Sequence, residues 1–319
     1  MPEEKPPEPN SGLATPEEMQ AAIEASGYLL EGRIARVMAE RGFFVEMNPF
    51  TPDPTDPSKS MEIDVAGRYF EWVNEENKDT VTASVLVECK NNSQPFAFFV
   101  QRQQITELND NRIHYGGFPS FSMDQETKIQ VPLHKLLEMK DWHHYCKVQE
   151  VATQFCGFKW TNENKPRDKR EWKTEPMENY SKSFSKLAIV TASDSAGGYA
   201  LQHQNIQVQA SYPVAVFQGP IYRVQDNSGK AKVEAVDHIQ LHHSATVNGH
   251  VIQAQIDVVT EAAFPRLMEE ILEELKTFRD KINGMHPRLL NSALDQKSVA
   301  SQNAGRQMFS ALLPGGQYK

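Results

Sequence analysis

The pattern of apolar and polar residues predicts a helix near the start of the chain. Residues 15–18 read Thr-Pro-Glu-Glu, in which the threonine caps the helix, the proline suits its first position and the second glutamate completes a capping box. Apolar residues then recur at helical spacing as far as Arg41, and Gly42 follows as a stop. We therefore expect a helix over residues 16–41 that is loosened at residues 26–27.

Three stretches after this helix have the pattern of β-strands. They are residues 43–47, 61–72 and 80–90, separated by the proline-rich segment 51–60 and the polar segment 74–79. In the second stretch, alternation places Ile63 and Val65 on one face of the strand, and Glu62, Asp64 and Ala66 on the other. A helix followed by a three-strand meander indicates an α/β or α+β fold.

The rest of the chain mixes helical and strand patterns, and residues 178–210 fit a helix and strands equally well. The other predicted elements are a helix over 133–155, a polar loop over 159–173, a buried strand over 212–224 interrupted at Gly219-Pro220, a hairpin of strands 238–245 and 250–260 around Asn248-Gly249, and an amphipathic helix over 261–282. The predicted fold therefore ends with a hairpin plus a helix.

The length of 319 residues allows one large domain or two ordinary ones. Residues 1–15 contain four prolines and three glutamates without apolar periodicity, so we expect them to be disordered. Residues 285–319 also lack periodicity, and we expect a poorly ordered tail there. Between these segments we expect a single domain over residues 16–284.

The composition excludes several classes of protein. No stretch approaches the roughly 18 consecutive apolar residues of a membrane span, and residues 1–10 lack the apolar core of a secretory signal. Three cysteines cannot form a disulfide framework, so we expect a soluble, cytoplasmic protein with free thiols. The 42 acidic and 33 basic residues give a net charge of −9, which argues against non-specific coating of nucleic acid. An enzyme with a local basic groove and an acidic metal centre stays compatible with this charge.

The predicted meander carries one set of charged residues that is suited to chemistry. Side chains alternate along a strand, so Glu88 and Lys90 share one face, and Cys89 lies on the opposite, apolar face. Antiparallel pairing through the 74–79 turn brings Asp64 alongside the Glu88 strand. Glu31 lies at helical spacing from apolar residues of the first helix and leans toward the core. Each feature also has an ordinary interpretation, as a solvated charge pair on a strand or as a surface residue of a helix.

The order of these segments is similar to that of a known superfamily. GYLLEGRIARVMAERGFFVE, MEIDVAG and VLVECKNN give helix–strand–strand–strand with an aspartate and then Glu-x-Lys. Residues 27–92 thereby resemble the PD-(D/E)XK nuclease superfamily, which implies a restriction-endonuclease-like core of helix, three-strand meander, helix and strand. Ile63 stands where the name motif has proline before Asp64. The resemblance also implies a long insertion, at roughly residues 105–210.

The function that the resemblance implies is metal-dependent hydrolysis of phosphodiester bonds in DNA, by an endonuclease or an exonuclease. Mg²⁺, for which Mn²⁺ can substitute, would be held by Asp64, Glu88 and the Cys89 main-chain carbonyl. Lys90 would orient or help deprotonate the attacking water, and Glu31 would bind a second metal or hold a water of the first. The alternative is a catalytically inactive nuclease-like module for binding or assembly. A dimer is compatible with both functions.

Two further groups of residues have ligand-like chemistry. The first is a basic stretch between Trp160 and Trp172, where phosphate contacts and base stacking compete with a plain solvated loop; its residues are Lys165, Arg167, Lys169 and Arg170. The second comprises soft-metal ligand types whose spacing matches no regular zinc pattern, namely His143, His144, Cys146 and Cys156. The histidines of the C-terminal hairpin, His238, His242, His243 and His250, are expected to be ordinary surface residues.

Overall fold

The structure is a computed structural model that describes residues 14–54, 56, 58–92, 94–102, 113–116, 121–123, 130–161, 171–197 and 207–296. Within them the helices are α1 (Pro16–Ala25), α2 (Tyr28–Glu40), α3 (Leu133–Leu136), α4 (His144–Lys147), α5 (Glu178–Gly197) and α6 (Phe264–Gln296), with a 3₁₀ turn at Met139–Asp141. The strands are β1 (Phe44–Met47), β2 (Phe50–Pro52), β3 (Ser60–Glu62), β4 (Val65–Asn74), β5 (Asp79–Lys90), β6 (Phe96–Arg102), β7 (His114–Gly116), β8 (Phe121–Met123), β9 (Gln130–Pro132), β10 (Glu150–Thr161), β11 (Glu171–Glu175), β12 (Gln207–Phe217), β13 (Ile221–Asn227), β14 (Lys230–Val236), β15 (His238–Val247) and β16 (His250–Thr260). Most of the two expected disordered tails, residues 1–13 and 297–319, lies outside the described residues.

Twelve of the described strands form one mixed sheet. Its order is β1-β4-β5-β12-β16-β15-β10-β6-β13-β14, with β11 beside β10 and β7 beside β12. The first three strands are an antiparallel meander, and β12 lies parallel to β5 from the Gln207–Thr80 pair to the Phe217–Lys90 pair. Helix α5 lies in the chain between these two parallel strands. The expectation of a mixed α/β class is therefore confirmed.

Apolar side chains cover both faces of this sheet. The odd-numbered residues of β5 from Val81 to Cys89 pack with α2 and α6 on one face. Leu86 and Phe217 pack with α5 on the other face. The alternation expected for residues 80–90 is therefore confirmed, and it assigns Glu88 and Lys90 to the α5 side of the sheet.

Several local predictions are confirmed. Thr15 and Glu18 form the capping box of α1, and the expected helix is interrupted at residues 26–27. The chain turns at Gly42 with a φ of +85°, as its role of stop requires. The C-terminal hairpin forms with left-handed backbone at Asn248 and Gly249, the conformation that a two-residue turn between strands favours.

Other predictions were wrong, each for an identifiable reason. The strand expected over 61–72 breaks at residues 63–64, so Ile63 packs on the α5 side and Val65 on the α6 side, not on one face. The helix expected over 133–155 is broken into α3, a 3₁₀ turn and α4, and residues 150–157 pair with β6 as part of a strand. The polar loop expected over 159–173 is flanked by paired strands, β10 and β11. The insertion expected over 105–210 stays a prediction; its described residues include α5 and part of β12, and α6 ends at Gln296.

Substitution of Gly219 tests how tightly the chain packs beside Asn92, near the end of β5, and substitution of Gly284 on α6 is the control. A Cβ atom on Gly219 would lie 2.5 Å from the main-chain oxygen of Asn92, whose side chain also accepts the Gly219 N–H at 3.2 Å. We expect Gly219→Ala to lower the free energy of unfolding by about 1–3 kcal/mol through this clash. Gly284→Ala, on α6 with nothing within 4 Å, should raise it by about 0.5–1 kcal/mol through helix propensity. Urea unfolding of both variants measures the difference, and equal effects would contradict the packing at Asn92.

Candidate functional site

Asp64 and Glu88 are attached to neighbouring points of the backbone at the end of the β4–β5 hairpin. Asp64 follows the break before β4, and its Oδ2 accepts the main-chain N–H of Cys89 at 2.6 Å. The main-chain oxygen of Asp64 accepts the N–H of Asn48 at 3.0 Å, which holds the bend from its other side. The pairing of Val65 with Val87 sets this register. The structure therefore brings Asp64 next to the Glu-x-Lys segment.

Glu88 lies in the sheet with only 1% of its side chain exposed, and two lysines neutralise it. The Nζ atom of Lys90 lies 2.8 Å from Glu88 Oε2. Lys186, on α5, forms a close ion pair with Glu88 Oε1 and donates to the main-chain oxygen of Glu62 at 2.5 Å. A buried carboxylate is costly unless it is paired, so these ammonium groups stabilise Glu88.

Glu31 faces the same group of charges from the first turn of α2. Burial raises the pKa of Glu31 above its usual value, and the carboxylates of Asp64, Glu62 and Glu88 raise it further, against an opposing effect of Lys90. Glu31 therefore lies within electrostatic range of these three carboxylates and of Lys90. The structure thus brings together all four residues that were assigned catalytic roles: Glu31, Asp64, Glu88 and Lys90.

Cys89 contributes its backbone to this group and not its side chain. Its thiol packs in the apolar cluster on the opposite face of the sheet. Burial, followed by the carboxylates of Asp64, Glu31 and Glu88, holds the pKa of the thiol far above its usual value. A thiol in this state is neither a nucleophile nor a metal ligand. The role of its main-chain carbonyl as a metal ligand stays a prediction.

The charges of this site do not balance when all its carboxylates are ionised. Four carboxylates, those of Glu31, Glu62, Asp64 and Glu88, face the two ammonium groups of Lys90 and Lys186. The excess of two negative charges equals the charge of one divalent cation. Carboxylate oxygens are the ligands that Mg²⁺ and Mn²⁺ prefer, so the donor set fits such an ion.

Because the pKa of Glu31 is raised, we expect its ionised carboxylate to lower the free energy of unfolding when no metal is bound. Because this pKa is raised above the usual 4.5 of the unfolded chain, the stability that Glu31 contributes is present below pH 4.5 and is lost as the pH rises through the folded value. Without metal at pH 7, we expect Glu31→Gln to raise the free energy of unfolding by about 0.5–1 kcal/mol. Urea unfolding in a chelator at pH 7 and pH 4 measures this gain, which should shrink at the lower pH. Glu24→Gln, on exposed α1, is the control, and equal gains in the two variants would contradict the crowding of carboxylates.

The basic residues suggested for nucleic-acid contact, Lys165, Arg167, Lys169 and Arg170, lie outside the described residues. The strands that flank them are described. Trp160 and Trp172 face each other across the β10–β11 hairpin, with stacked rings whose centroids are 4.0 Å apart. These rings contact each other, so base stacking on them stays a prediction.

A second group of ionisable residues is buried between the sheet and α6. His144 hydrogen-bonds through Nδ1 to Glu274 Oε2 at 2.8 Å and through Nε2 to Asp257 Oδ2 at 3.1 Å. Asp257 is fully buried and also accepts from the Tyr145 hydroxyl at 2.7 Å and from His238 Nε2 at 2.8 Å. His143 Nδ1 lies 3.7 Å from Glu274 Oε2.

The pKa values of the two neighbouring histidines in this buried group, His143 and His144, are shifted in opposite directions. Burial lowers the pKa of His143 to about 4, so this ring is neutral at pH 7. Burial acts in the same direction on His144, but the carboxylates of Asp257 and Glu274 outweigh it and hold its pKa well above the usual value. The same contacts hold the pKa values of Asp257 and Glu274 below their usual range, although burial alone would raise them. Without an added ion, His144 is therefore the cation of this group.

The sequence contained weak signs of this second group. Asp257 is a lone charge within the apolar strand run QIDVVT, and Glu274 lies between Ile271 and Phe278 on the apolar side of α6. Charges at such positions are rarely buried without partners. His238 was expected to be an ordinary surface residue, but it is largely buried and bonded to Asp257. No pattern in the sequence indicated the contact of Lys186 with Glu88, because residues 178–210 could not be assigned to a helix or strands.

No helix among the described residues combines the length and apolar character that crossing a membrane requires. The chain matches no protein-family model, no curated protein and no solved structure.

Proposed function

We propose that the chain is a Mg²⁺-dependent nuclease that hydrolyses phosphodiester bonds in DNA. The observation that carries the proposal is the group formed at the end of β5 by Glu31, Asp64, Glu88 and Lys90. The group includes carboxylates from three separate parts of the fold, the start of α2, the break before β4 and the end of β5. Several carboxylates close together repel one another and destabilise the fold unless a cation binds them, which favours a metal-binding role over a purely structural one.

The order of the elements supports a restriction-endonuclease-like core. Helix α2 is followed by the antiparallel meander β1-β4-β5, with β2 and β3 between β1 and β4, and after the strands β6–β11 the chain passes through α5 into β12, which lies parallel to β5. Helices α2 and α5 cover opposite faces of this sheet. This is the order helix–three-strand meander–helix–strand that the sequence resemblance implies. The choice of DNA as substrate rests on that resemblance.

The residues of the site have distinct roles in the proposed reaction. Asp64 and Glu88 would hold Mg²⁺, which would supply charge neutralisation at the phosphate and a lower pKa for water. Lys90 is 16% exposed and is held by Glu88 at 2.8 Å, so its ammonium group can orient or exchange a proton with the attacking water. Lys186 fixes the second oxygen of Glu88 from α5. Glu31 positions a further cation or a water at the edge of the site.

One observation favours the alternative, a catalytically inactive nuclease-like module for binding or assembly. Both oxygens of Glu88 are engaged by ammonium groups, so a divalent cation has to displace Lys90 or Lys186 to reach it. A site stabilised in this way persists without any metal. The two functions therefore differ in whether the purified protein takes up Mg²⁺ or Mn²⁺.

Calorimetric titration with Mn²⁺, together with a plasmid-cleavage assay, tests the proposal. We expect wild-type protein to bind Mn²⁺ and to nick or degrade DNA with Mg²⁺ or Mn²⁺. Asp64→Asn, which keeps an acceptor for the Cys89 N–H, should lose both activities, and Glu273→Gln, on the exposed side of α6, should keep both. Absence of Mn²⁺ uptake would overturn the proposed metal site and support the binding module, and Mn²⁺ uptake without cleavage would overturn the proposed catalysis.

A further inference from the structure

We propose that His143, His144 and Glu274 form a second, structural metal site that takes a divalent transition-metal ion such as Zn²⁺. It is separate from the site of Asp64 and Glu88, because it lies on the α6 side of the sheet and Glu88 faces α5. One ligand atom from each of the three residues lies within 4.8 Å of the other two. Two imidazoles and a carboxylate are donors that Zn²⁺ binds readily and Mg²⁺ does not prefer.

The distances between the donor atoms fit a tetrahedral ion. Ligands at the usual zinc bond lengths are about 3.3 Å from one another. Glu274 Oε2 lies 2.8 Å from His144 Nδ1 and 3.7 Å from His143 Nδ1, which brackets that value. An ion at this point replaces the proton between His144 and Glu274 and the Tyr145 N–H that His143 Nδ1 accepts at 3.3 Å.

The charge of the buried group also favours an ion. Asp257 and Glu274 are both buried, with 0% and 5% of their side chains exposed. The imidazole of His144 lies between them, with Nδ1 at 2.8 Å from Glu274 and Nε2 at 3.1 Å from Asp257. A divalent ion at Glu274, with neutral His144, balances both carboxylates. It thereby removes an uncompensated charge from the interior.

The surroundings have the arrangement of a supported metal site. His144 presents Nε2 to Asp257, which is the carboxylate partner that orients a ligating imidazole. Asp257 is in turn fixed by Tyr145 and His238. His143 is 1% exposed; its Nδ1 accepts the main-chain N–H of Tyr145 at 3.3 Å, and its Nε2 has no hydrogen-bond partner among the described residues. His238 also lines a cleft of about 620 Å³, so the group of hydrogen-bonded side chains approaches solvent at this residue.

Metal analysis of the full chain tests this site directly. Protein purified from zinc-containing medium without chelator should hold about one Zn²⁺ per chain, and removal of the ion should lower the melting temperature reversibly. Replacement by Co²⁺ should give the visible absorption bands of a tetrahedral site. His143→Gln should lose the ion, whereas His242→Gln, a hairpin histidine outside the group, should retain it.

The result is separable from that for the proposed nuclease site, because Asp64→Asn should keep its Zn²⁺ while losing Mn²⁺ uptake. The inference is overturned if wild-type protein contains no transition metal and chelator-treated protein shows no shift in melting temperature with added Zn²⁺. In that outcome the group is held by a buried His144 imidazolium between two carboxylates. Zn²⁺ that is retained equally by His143→Gln would also overturn it, since the ion would then bind elsewhere.

Discussion

Lys90→Ala should lower the rate of Mg²⁺-dependent DNA cleavage by roughly 10²–10⁴-fold, the loss expected when a positioned proton donor or acceptor is removed. The reason is geometric, because Lys90 is the partly exposed ammonium group beside Glu88, at 2.8 Å, where a reacting water would need it. Binding of Mn²⁺ should persist, since the carboxylates stay in place. The measurement is the initial rate of plasmid nicking, with calorimetric Mn²⁺ binding on the same preparation.

The matched control is Lys276→Ala, which removes a surface lysine of α6 paired with Glu273. This variant should cleave DNA at the wild-type rate. If wild-type, Lys90→Ala and Lys276→Ala proteins all showed the same trace rate, the activity would belong to a contaminant. The catalytic part of the proposal would then fail, and the binding module would be the better function.

Asp257→Asn should have the largest effect on stability, a loss of about 3–5 kcal/mol in the free energy of unfolding. Asp257 is fully buried, and its carboxylate accepts from His144, Tyr145 and His238. Removing one partner of a buried ionic group leaves an uncompensated charge, which is among the costliest single changes in a protein. The expectation holds with or without an ion at His144, because Asp257 serves as its acceptor in both states.

The control for this variant is Asp237→Asn, immediately before β15. Asp237 is 56% exposed and pairs with Arg266 at 3.1 Å, so its loss should cost about 0–1 kcal/mol. Urea unfolding of the two variants at pH 7 gives the comparison. Similar small losses in both would show that the Asp257 group contributes little to stability.

The relative positions of Asp64, Glu88 and Lys90 could be predicted from the sequence, because they depend on side-chain alternation along one strand and on a short turn between two strands. An apolar face of β5 fixes its register, so Glu88 and Lys90 are forced onto the other face, and a short turn places β4 alongside. The break at residues 63–64 was not predicted, since alternation continues through it in the sequence. The break is nevertheless what allows Asp64 to turn toward the Cys89 N–H.

The rest of the site depends on contacts between residues distant in the chain. Lys186 meets Glu88 only because α5 packs across the sheet, and no pattern within residues 178–210 indicates that contact. Likewise, His144 meets Asp257 and Glu274 across more than a hundred residues of chain. The helix predicted over 133–155 was wrong for the same reason, because residues 150–155 belong to β10, which pairs with β6.

The position of Mn²⁺ in crystals of the protein tests the central claim most directly. We predict an anomalous scattering peak that lies about 2.1 Å from carboxylate oxygens of both Asp64 and Glu88, the metal–oxygen distance of a shared ion. Such a peak would require one of the two ammonium groups beside Glu88 to move away. A structure with Mn²⁺ elsewhere, or with the two carboxylates more than about 8 Å apart, would contradict the account, since they could not then share one ion.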